Sequence, residues 1–485
     1  MKPNNNELQN FEKVPNNWTV FPLGKVLPIS YGKGLTKAKR DESGKFPVYG
    51  SSGQVGVHSE SLTKKPSLIL GRKGSVGEVH YSKLPCWPID TVYFAEEHEG
   101  LELKFFHFLL KGLNLAKLDK STAVPGLSRD DYNAVEVAVA PLDQQQSIVA
   151  EIEKQFSRLD EAVTNLKRIK ANLKRYKAAV LKAAVEGKLT ENWREAHPNV
   201  EPASKLLARI LTERRTNWKG KGKYKEPSLP PGDNVPEQPA VPETWSFVGM
   251  DQLLPPTREA MKTGPFGSLL KKHEHRSEGI PVLGIENIET MRFVRGCKIY
   301  ITKTKAEDLV GYRVIPHDVL ISRSGTVGEV CVVPNDIGEA RISTNLMKLS
   351  LIPGGMLPEF FVLLFNGSPF VLDQVSNLCK GSTRNFLNQE ILKPLFFVLP
   401  PLVEQQQILS EVERRLSFIE ELEATVEANL TRANRLRQAI LQSAFTGQLV
   451  PQGLNESAQF CSGSSSKEST PVIQAWKSTK MTQHF

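Results

Sequence analysis

Two stretches of the chain carry an apolar residue at every seventh position. Ile152, Leu159, Leu166, Leu173 and Val180 form one series after Pro141, with Phe156 and Val163 as the second apolar position of the heptad. Val412, Ile419, Val426, Ala433 and Ile440 form the other after Pro401, beside Leu416 and Leu430. A repeat sustained over more than four heptads predicts coiled-coil helices. Each should run about 45 residues, or about 65 Å at 1.5 Å per residue, and stop at Gly187 or Gly447. They can pack on each other or each pair with a partner chain, and their matched spacing favours self-pairing. Asn429 and Asn434 lie near the second stripe, where a buried polar group can set register.

The regions before each helix are patterned differently. Short apolar runs alternate with Gly, Pro and polar turns, as in SLILGRKGSVGEVHY (67–81) and DVLISRSGTVGEVCVV (318–333). These predict strands joined by tight turns. Apolar helical segments follow, ELKFFHFLLKGL (102–113) and PEFFVLLFNG (358–367). Each region is therefore expected to mix α and β.

The chain is also written twice. PNNWTVFPLGKVLP (15–28) is echoed by PETWSFVGMDQLLP (242–255), and GRKGSVGEV (71–79) by SRSGTVGEV (322–330). The segment 127–156 is echoed by 387–416, and LKAAVEGKL (181–189) by LQSAFTGQL (441–449). The offset is 227 at the Trp18/Trp245 pair, 251 at Gly74/Gly325 and 260 elsewhere. Two large units, each a globular part followed by a long helix, exclude a short-period solenoid. The expected divisions are 1–142 and 245–401 for the globular parts, 143–190 and 402–450 for the helices, 191–244 for a basic, Pro-rich linker, and 451–485 for a Ser-rich disordered tail.

Composition narrows the class. The 485 residues are 40% hydrophobic and 24% charged, ordinary for globular domains. The five cysteines (Cys86, Cys297, Cys331, Cys379, Cys461) are never closer than 34 residues, which excludes a CxxC zinc site and points to a reducing compartment. No signal-peptide core or membrane-length apolar run occurs, so a bacterial-style cytosolic protein is expected. The net charge of +9 invites a nucleic-acid reading, but residues 205–226 alone hold eight Lys/Arg against two Glu. Residues 227–401 balance to −1. That basic stretch is open to three readings: a solvated linker, a DNA contact or a partner contact.

Catalytic signatures are missing. There is no GxxxxGK[ST], no GxGxxG (GKGLTK at 32–37 lacks the third glycine), no Asn/Asp-Pro-Pro-aromatic tetrapeptide and no HExxH. His273 and His275 form a lone HEH, read as a surface turn, so no metal site is expected. The informative polar elements are the two Gly-rich turns. Arg72, Lys73, Ser75, Arg323, Ser324 and Thr326 can grip phosphates or base edges, or the turns can simply be hairpins that hold the fold. KSTAVPGLSRDDY (120–132) and KGSTRNFLNQEIL (380–392) read as phosphate-facing loops or as plain helix caps, with Lys380, Thr383 and Arg384 in the second. Lys33, Lys37, Lys39 and Arg40 make a basic loop in the first unit, and Lys271, Lys272, Arg276, Arg292 and Arg295 a looser counterpart in the second; both can equally be solvated faces.

Taken together, the Trp18 and Trp245 segments, the Gly-rich turns, PLDQQQSI (141–148) with PPLVEQQQI (400–408), and the helix ends AVLKAAVEGKLTENWR and AILQSAFTGQL resemble the specificity subunits of type I restriction–modification systems. One departure is Asp143 in the first helix start where the second has Glu404. The resemblance implies an α+β fold: two mixed α/β target-recognition domains separated by two long antiparallel coiled-coil helices, with a pseudo-twofold repeat. It implies a non-catalytic subunit that reads a bipartite, asymmetric double-stranded DNA target. It also implies two methyltransferase and two motor–nuclease partners. S-adenosylmethionine, ATP and Mg would be bound by those partners, with no cofactor in this chain. The competing reading is a DNA-binding scaffold or regulator that acts without a methyltransferase.

Overall fold

In a computed structural model, the structure describes residues 14–119, 126–220, 222–227, 237–257, 259–266, 269–323, 328–379 and 387–451. The expected tail, 452–485, lies outside them. The chain divides into two compact units, residues 1–163 with 431–485, and residues 164–430. Each long helix is therefore cut between the units, rather than forming a domain of its own as the sequence divisions had it.

The first unit begins with β1 (Thr19–Pro22) and β2 (Ser30–Tyr31), followed by β3 (Ser67–Gly71), β4 (Val79–Ser82) and β5 (Val92–Glu96). Strands β2, β5, β3 and β4 form an antiparallel sheet in that order. A three-stranded sheet of Gly53–His58, Phe46–Gly50 and Trp87–Pro88 lies beside it in the chain. The apolar helix α1 (Leu103–Leu113) buries Leu103, Phe105, Phe106, Phe108, Leu109, Leu110 and Leu113. Next, β6 (Glu136–Val139) pairs antiparallel with β1 and leads through Pro141 into α2 (Leu142–Val185).

In the second unit α2 ends before Gly187, whose φ of 75° needs a glycine. Two short helices follow, α3 (Glu191–Ala196) and α4 (Ala203–Thr216). Leu206 and Ile210 of α4 are buried against Ile352. The expected linker is therefore shorter than 191–244, because the apolar stripe of LLARIL docks on the second unit's body. Strand β7 (Ser246–Gly249) comes next, then β8 (Met261–Thr263), β9 (Val319–Ser322), β10 (Val330–Val332) and β11 (Leu346–Leu349). The antiparallel sheet order β8, β11, β9, β10 repeats that of the first unit. A second four-stranded sheet, Ile299–Ile301, Ile280–Leu283, Ala340–Ile342 and Arg313–Val314, has no counterpart of the same size among the described residues of the first unit. Helix α5 (Pro358–Gly367) matches α1, and β12 (Phe396–Leu399) pairs with β7 as β6 does with β1. It leads into α6 (Leu402–Phe445).

The heptad positions pack helix on helix. In the first unit Ile148, Val149, Ile152 and Phe156 share a core with Ile440, Leu441, Ala444 and Phe445. In the second, Leu173 and Val180 share one with Ile419 and Val426. The start of α2 meets the end of α6, and the end of α2 meets the start of α6, so the pairing is antiparallel and within one chain. Ile152, Val412, Ala433 and Ile440 are buried, while Leu159 and Leu166 are half-buried at the edge of the seam. Asn434 is exposed and cannot act as a buried register device; Asn429 is half-buried. Cross-helix ion pairs border the seam: Lys170 with Glu427 at 2.6 Å, and Arg437 with Asp160.

A glycine at the close of the apolar helix lets the long helix approach. A Cβ on Gly112 would stand 3.7 Å from the Leu441 Cβ, and one on Gly367 would stand 3.0 Å from the Leu181 Cβ. The glutamine motif at the start of each long helix is also structural. Gln145 donates to the Ala140 carbonyl (2.8 Å) and accepts from the Glu102 amide (3.1 Å). Gln405 donates to the Pro400 and Gly355 carbonyls (3.0 and 3.1 Å) and accepts from the Leu357 amide (2.8 Å). Both are buried, so their amides satisfy backbone groups that would otherwise be orphaned beneath the sheet-helix junction.

The repeat diverges at the next contact. The Trp18 indole donates to Gln144 Oε1 (3.0 Å), and the Trp245 indole to Glu404 Oε2 (2.9 Å). Glu404 is thus the counterpart of Gln144. Asp143, with which the sequence comparison paired it, aligns with Val403 at the offset of 260. The buried Glu404 carboxylate also accepts from Thr190 Oγ1 (2.7 Å) and is ion-paired with Arg194, which donates in turn to the Gly187 carbonyl (2.7 Å). Val450 occupies the position equivalent to Thr190.

Candidate nucleic-acid interface

The Gly-rich turn leaves β3 at Gly71, where a Cβ would collide with the Ser75 carbonyl at 1.9 Å. Gly77 (φ 77°) would place one 2.5 Å from the Ala116 amide nitrogen. Gly71 thus serves the turn itself, and Gly77 its packing against Leu115 and Ala116. Gly74 (φ 81°) is different: among the described residues only Ser51 Oγ, at 3.3 Å, lies near its Cβ position.

The turn gathers other loops around it. The Arg72 and Lys73 amides both donate to the Thr91 carbonyl (3.0 and 3.1 Å), and the Lys33 amide donates to Pro88 (3.0 Å). The Leu127 amide donates to the Arg72 carbonyl (2.9 Å), and Lys73 bridges Gly126. The structure therefore unites three segments that the sequence offered separately: the basic loop, the Gly-rich turn and the end of the 120–132 loop. Residues 120–125 of that loop lie outside the described residues.

Within this cluster the side chains sort by role. Lys33 and Lys73 are exposed, and Ser75 is half-buried. Arg72 Nη2 donates to the Asp90 carbonyl (2.8 Å), and its guanidinium lies 5.4 Å from the Tyr31 ring and 5.9 Å from that of Tyr93. Arg129, exposed, approaches the same Tyr31 ring at 5.8 Å. Tyr93 donates to the Leu127 carbonyl (3.1 Å), and burial pushes its pKa up to about 12, so it stays protonated. Lys33 Nζ stands 6.0 Å over the Trp87 ring. Lys37 is exposed on a short 3-10 turn. Arg40, expected to contact DNA, donates to the Val55 and Leu35 carbonyls (2.8 and 3.3 Å) and ties its own loop to a strand.

The second unit builds the same sheet end. The Gly264 amide donates to Leu346 (2.9 Å) as Gly32 does to Val92 (3.1 Å), and the Arg323 amide donates to Asn345 (2.9 Å). Arg323 follows β9 as Arg72 follows β3, but its side chain is buried. It donates from Nε to the Leu387 carbonyl and from Nη1 to that of Thr344, both at 3.0 Å, with the Phe266 ring 5.3 Å away. Burial lowers its pKa from the usual arginine value. A strut role thus replaces the free cation expected at this position. Ser324, Thr326, Lys380, Thr383 and Arg384 lie outside the described residues. Lys271, Lys272 and Arg292 are exposed, and among the described residues no hydrogen bond or ring contact joins them to Arg323.

Sequence reasoning missed Tyr31, Arg129, Trp87 and Phe266. Tyr31 and Phe266 are 52% and 59% exposed. Arg129 was legible as a basic residue beside Ser128, which caps the following turn of helix with bonds to the Asp130 and Asp131 amides.

The basic stretch 205–226 is less free than its charge suggests. Arg209 pairs with Glu201, and Arg215 with Glu226. Arg214 is buried, donating to the Leu254 carbonyl (3.0 Å) and to Tyr224 Oη (2.9 Å). Lys219, Lys223 and Lys225 are exposed. Among the described residues no cluster of His, Cys, Asp and Glu can hold a metal ion, and no helix is long and apolar enough to cross a membrane.

A duplicated sheet end with an arginine-led glycine turn, mounted on an antiparallel helix pair, defines a class that comparison with known proteins identifies. A family model of the type I restriction modification DNA specificity domain matches residues 15–175 and again 266–432, more than half of the chain. The chain belongs to that family. It is 22% identical to the type I restriction enzyme EcoDI specificity subunit of Escherichia coli and 24% identical to the EcoKI specificity subunit of E. coli strain K12, each match covering 94% of both chains. Among solved structures, the HsdS subunit from Thermoanaerobacter tengcongensis is similar, with a TM-score of 0.50 and 16% identity over 91% of this chain and 99% of that one. A chain solved in work on assembly and conformational transition of the type I R-M system has a TM-score of 0.57 and 18% identity, over 90% and 99%.

Proposed function

We propose that each unit reads one half of a split double-stranded DNA target, and that the chain holds methyltransferase and motor–nuclease subunits, two of each, in a type I restriction–modification complex in the cytoplasm. The observation that carries this is the duplicated sheet end with different side chains around it. Tyr31, Arg129, Lys33 and Lys73 surround the turn in the first unit, while Phe266 stands against Arg323 in the second. Two different surfaces on one repeated frame suit two different half-sites, hence an asymmetric target. The chain supplies recognition and scaffolding rather than catalysis. S-adenosylmethionine, ATP and Mg belong to the partners in this reading.

Long-read methylation sequencing of host DNA with and without the gene, in the presence of the methyltransferase partner, tests it. A split asymmetric methylated motif that disappears with the gene is the expected result. A palindromic motif would overturn the asymmetric reading. An unchanged methylome, with no methyltransferase recovered in a pull-down, would favour a DNA-binding regulator.

A further inference from the structure

Both units leave an aromatic ring in the open beside the arginine that starts the Gly-rich turn. The ring-to-guanidinium distances are nearly equal, 5.4 Å for Tyr31 with Arg72 and 5.3 Å for Phe266 with Arg323. The two rings do not occupy equivalent positions in the repeat. Gly32 and Gly264 are matched by their identical bond to the neighbouring strand. Tyr31 comes one residue before its glycine, and Phe266 two residues after its own. The backbone repeat therefore does not dictate the ring; the pair has been rebuilt from a different address. A ring needed only to cover the arginine would be free to bury itself, yet both remain more than half exposed.

We propose that Tyr31 and Phe266 are specificity-determining DNA contacts, each presenting a ring braced by its arginine to base edges of one half-site. This rests on the reading of the two units as DNA-recognition domains. Phe266 has no donor or acceptor, so its contact is apolar, and the 5-methyl group of thymine in the major groove is the base feature that fits it. Tyr31 can add its hydroxyl to the same kind of contact. Around Tyr31, the exposed Lys33, Lys73 and Arg129 supply the cations that hold a phosphate backbone near the ring.

The test uses the full chain assembled with its methyltransferase and a plasmid library randomised at each half-site in turn. The wild-type assembly first defines the motif; if it methylates no specific sequence, the recognition reading and this proposal fall together. Phe266→Ala should then lower discrimination roughly five- to tenfold at one or two positions of one half-site. The other half-site should be unchanged. Phe266→Leu should recover part of the loss. Tyr31→Ala should act on the opposite half-site, and Tyr31→Phe should separate ring from hydroxyl. No charge is removed, so the salt dependence of binding should keep its slope. Unchanged discrimination in Phe266→Ala and Tyr31→Ala, against a wild type that reads its motif, would overturn the proposal. So would a uniform loss at both half-sites with a lowered melting temperature, which would mark the rings as braces of the fold.

Discussion

Glu404 offers a direct measure of how the two halves of the repeat diverged. Its side chain is 1% exposed, and it is held by the Trp245 indole, the Thr190 hydroxyl and Arg194, itself 18% exposed. Replacing Arg194 with Met leaves a buried carboxylate without its cation. Breaking a buried pair in this way costs about 3–5 kcal/mol. The lower end applies here, because two hydrogen bonds to the carboxylate survive. Glu404→Gln copies Gln144 of the first unit, keeps an acceptor for Trp245 and leaves Arg194 without its anion, at a cost of about 1.5–3 kcal/mol. The double variant carries neither charge and should lie within about 1–2 kcal/mol of wild type, giving a coupling of about 2.5–5 kcal/mol. The two compact units need not unfold together, so the readout should be local. Hydrogen–deuterium exchange in rising urea, followed in peptides spanning 187–196 and 400–408, supplies it. Additive losses in the double variant, or an Arg194→Met protein as stable as wild type, would refute the reasoning.

Three further predictions concern packing, pH and salt. Gly367→Ala should destabilise the second unit by about 1–3 kcal/mol, because the new Cβ meets Leu181 at 3.0 Å, whereas Gly112→Ala, with 3.7 Å of room, should be neutral or slightly stabilising; thermal melts of the two variants compare them. Burial depresses the His107 pKa to about 3, below its unfolded value near 6.5, so the unfolded chain binds the extra proton first. Stability should therefore hold above pH 6.5 and fall as the pH drops toward 3, by at most about 2 kcal/mol between pH 7 and 5. Urea midpoints that lose this slope in His107→Phe would confirm the source, and an unaltered slope would reject it. The isolated chain should bind duplex DNA weakly and lose it steeply with salt, since 227–401 is close to neutral; a salt-resistant nanomolar complex would contradict this.

The heptads, the repeat and the alternating runs were readable because each follows from a period, and periodicity records which face is buried. The same logic reached the Gly-rich turns, though not the purpose of their glycines: Gly71 and Gly77 answer to the Ser75 carbonyl and the Ala116 amide, atoms that only the folded chain brings near. Charge was the poorest guide. Arg40, Arg214 and Arg323 look like free cations in the sequence, yet each satisfies backbone carbonyls. A guanidinium's role depends on which orphaned acceptors surround it, and no local pattern encodes that. Counting charge in 205–226 also hid the apolar stripe of α4. Tyr31 and Phe266 escaped notice because their shared arginine contact arises from unequal positions in the repeat. The mispairing of Asp143 with Glu404 came from matching charge type across the repeat when the offset of 260 already paired Glu404 with Gln144.

The first unit includes Ile440, Leu441, Ala444 and Phe445 in its core, with Phe445 edge-on to Phe105 at 5.3 Å. A ribosome synthesises these residues after all of the second unit. The domain begun first therefore cannot close its core until nearly the whole chain has emerged, while residues 164–430 are complete earlier. Vectorial synthesis thus inverts the order of maturation: the amino-terminal strands must wait, partly uncovered, for the carboxy-terminal helix. A premature stop near residue 430 would strike first at the fold of the amino-terminal half, far from the lesion in sequence, and would make such products early targets for chaperones and proteases.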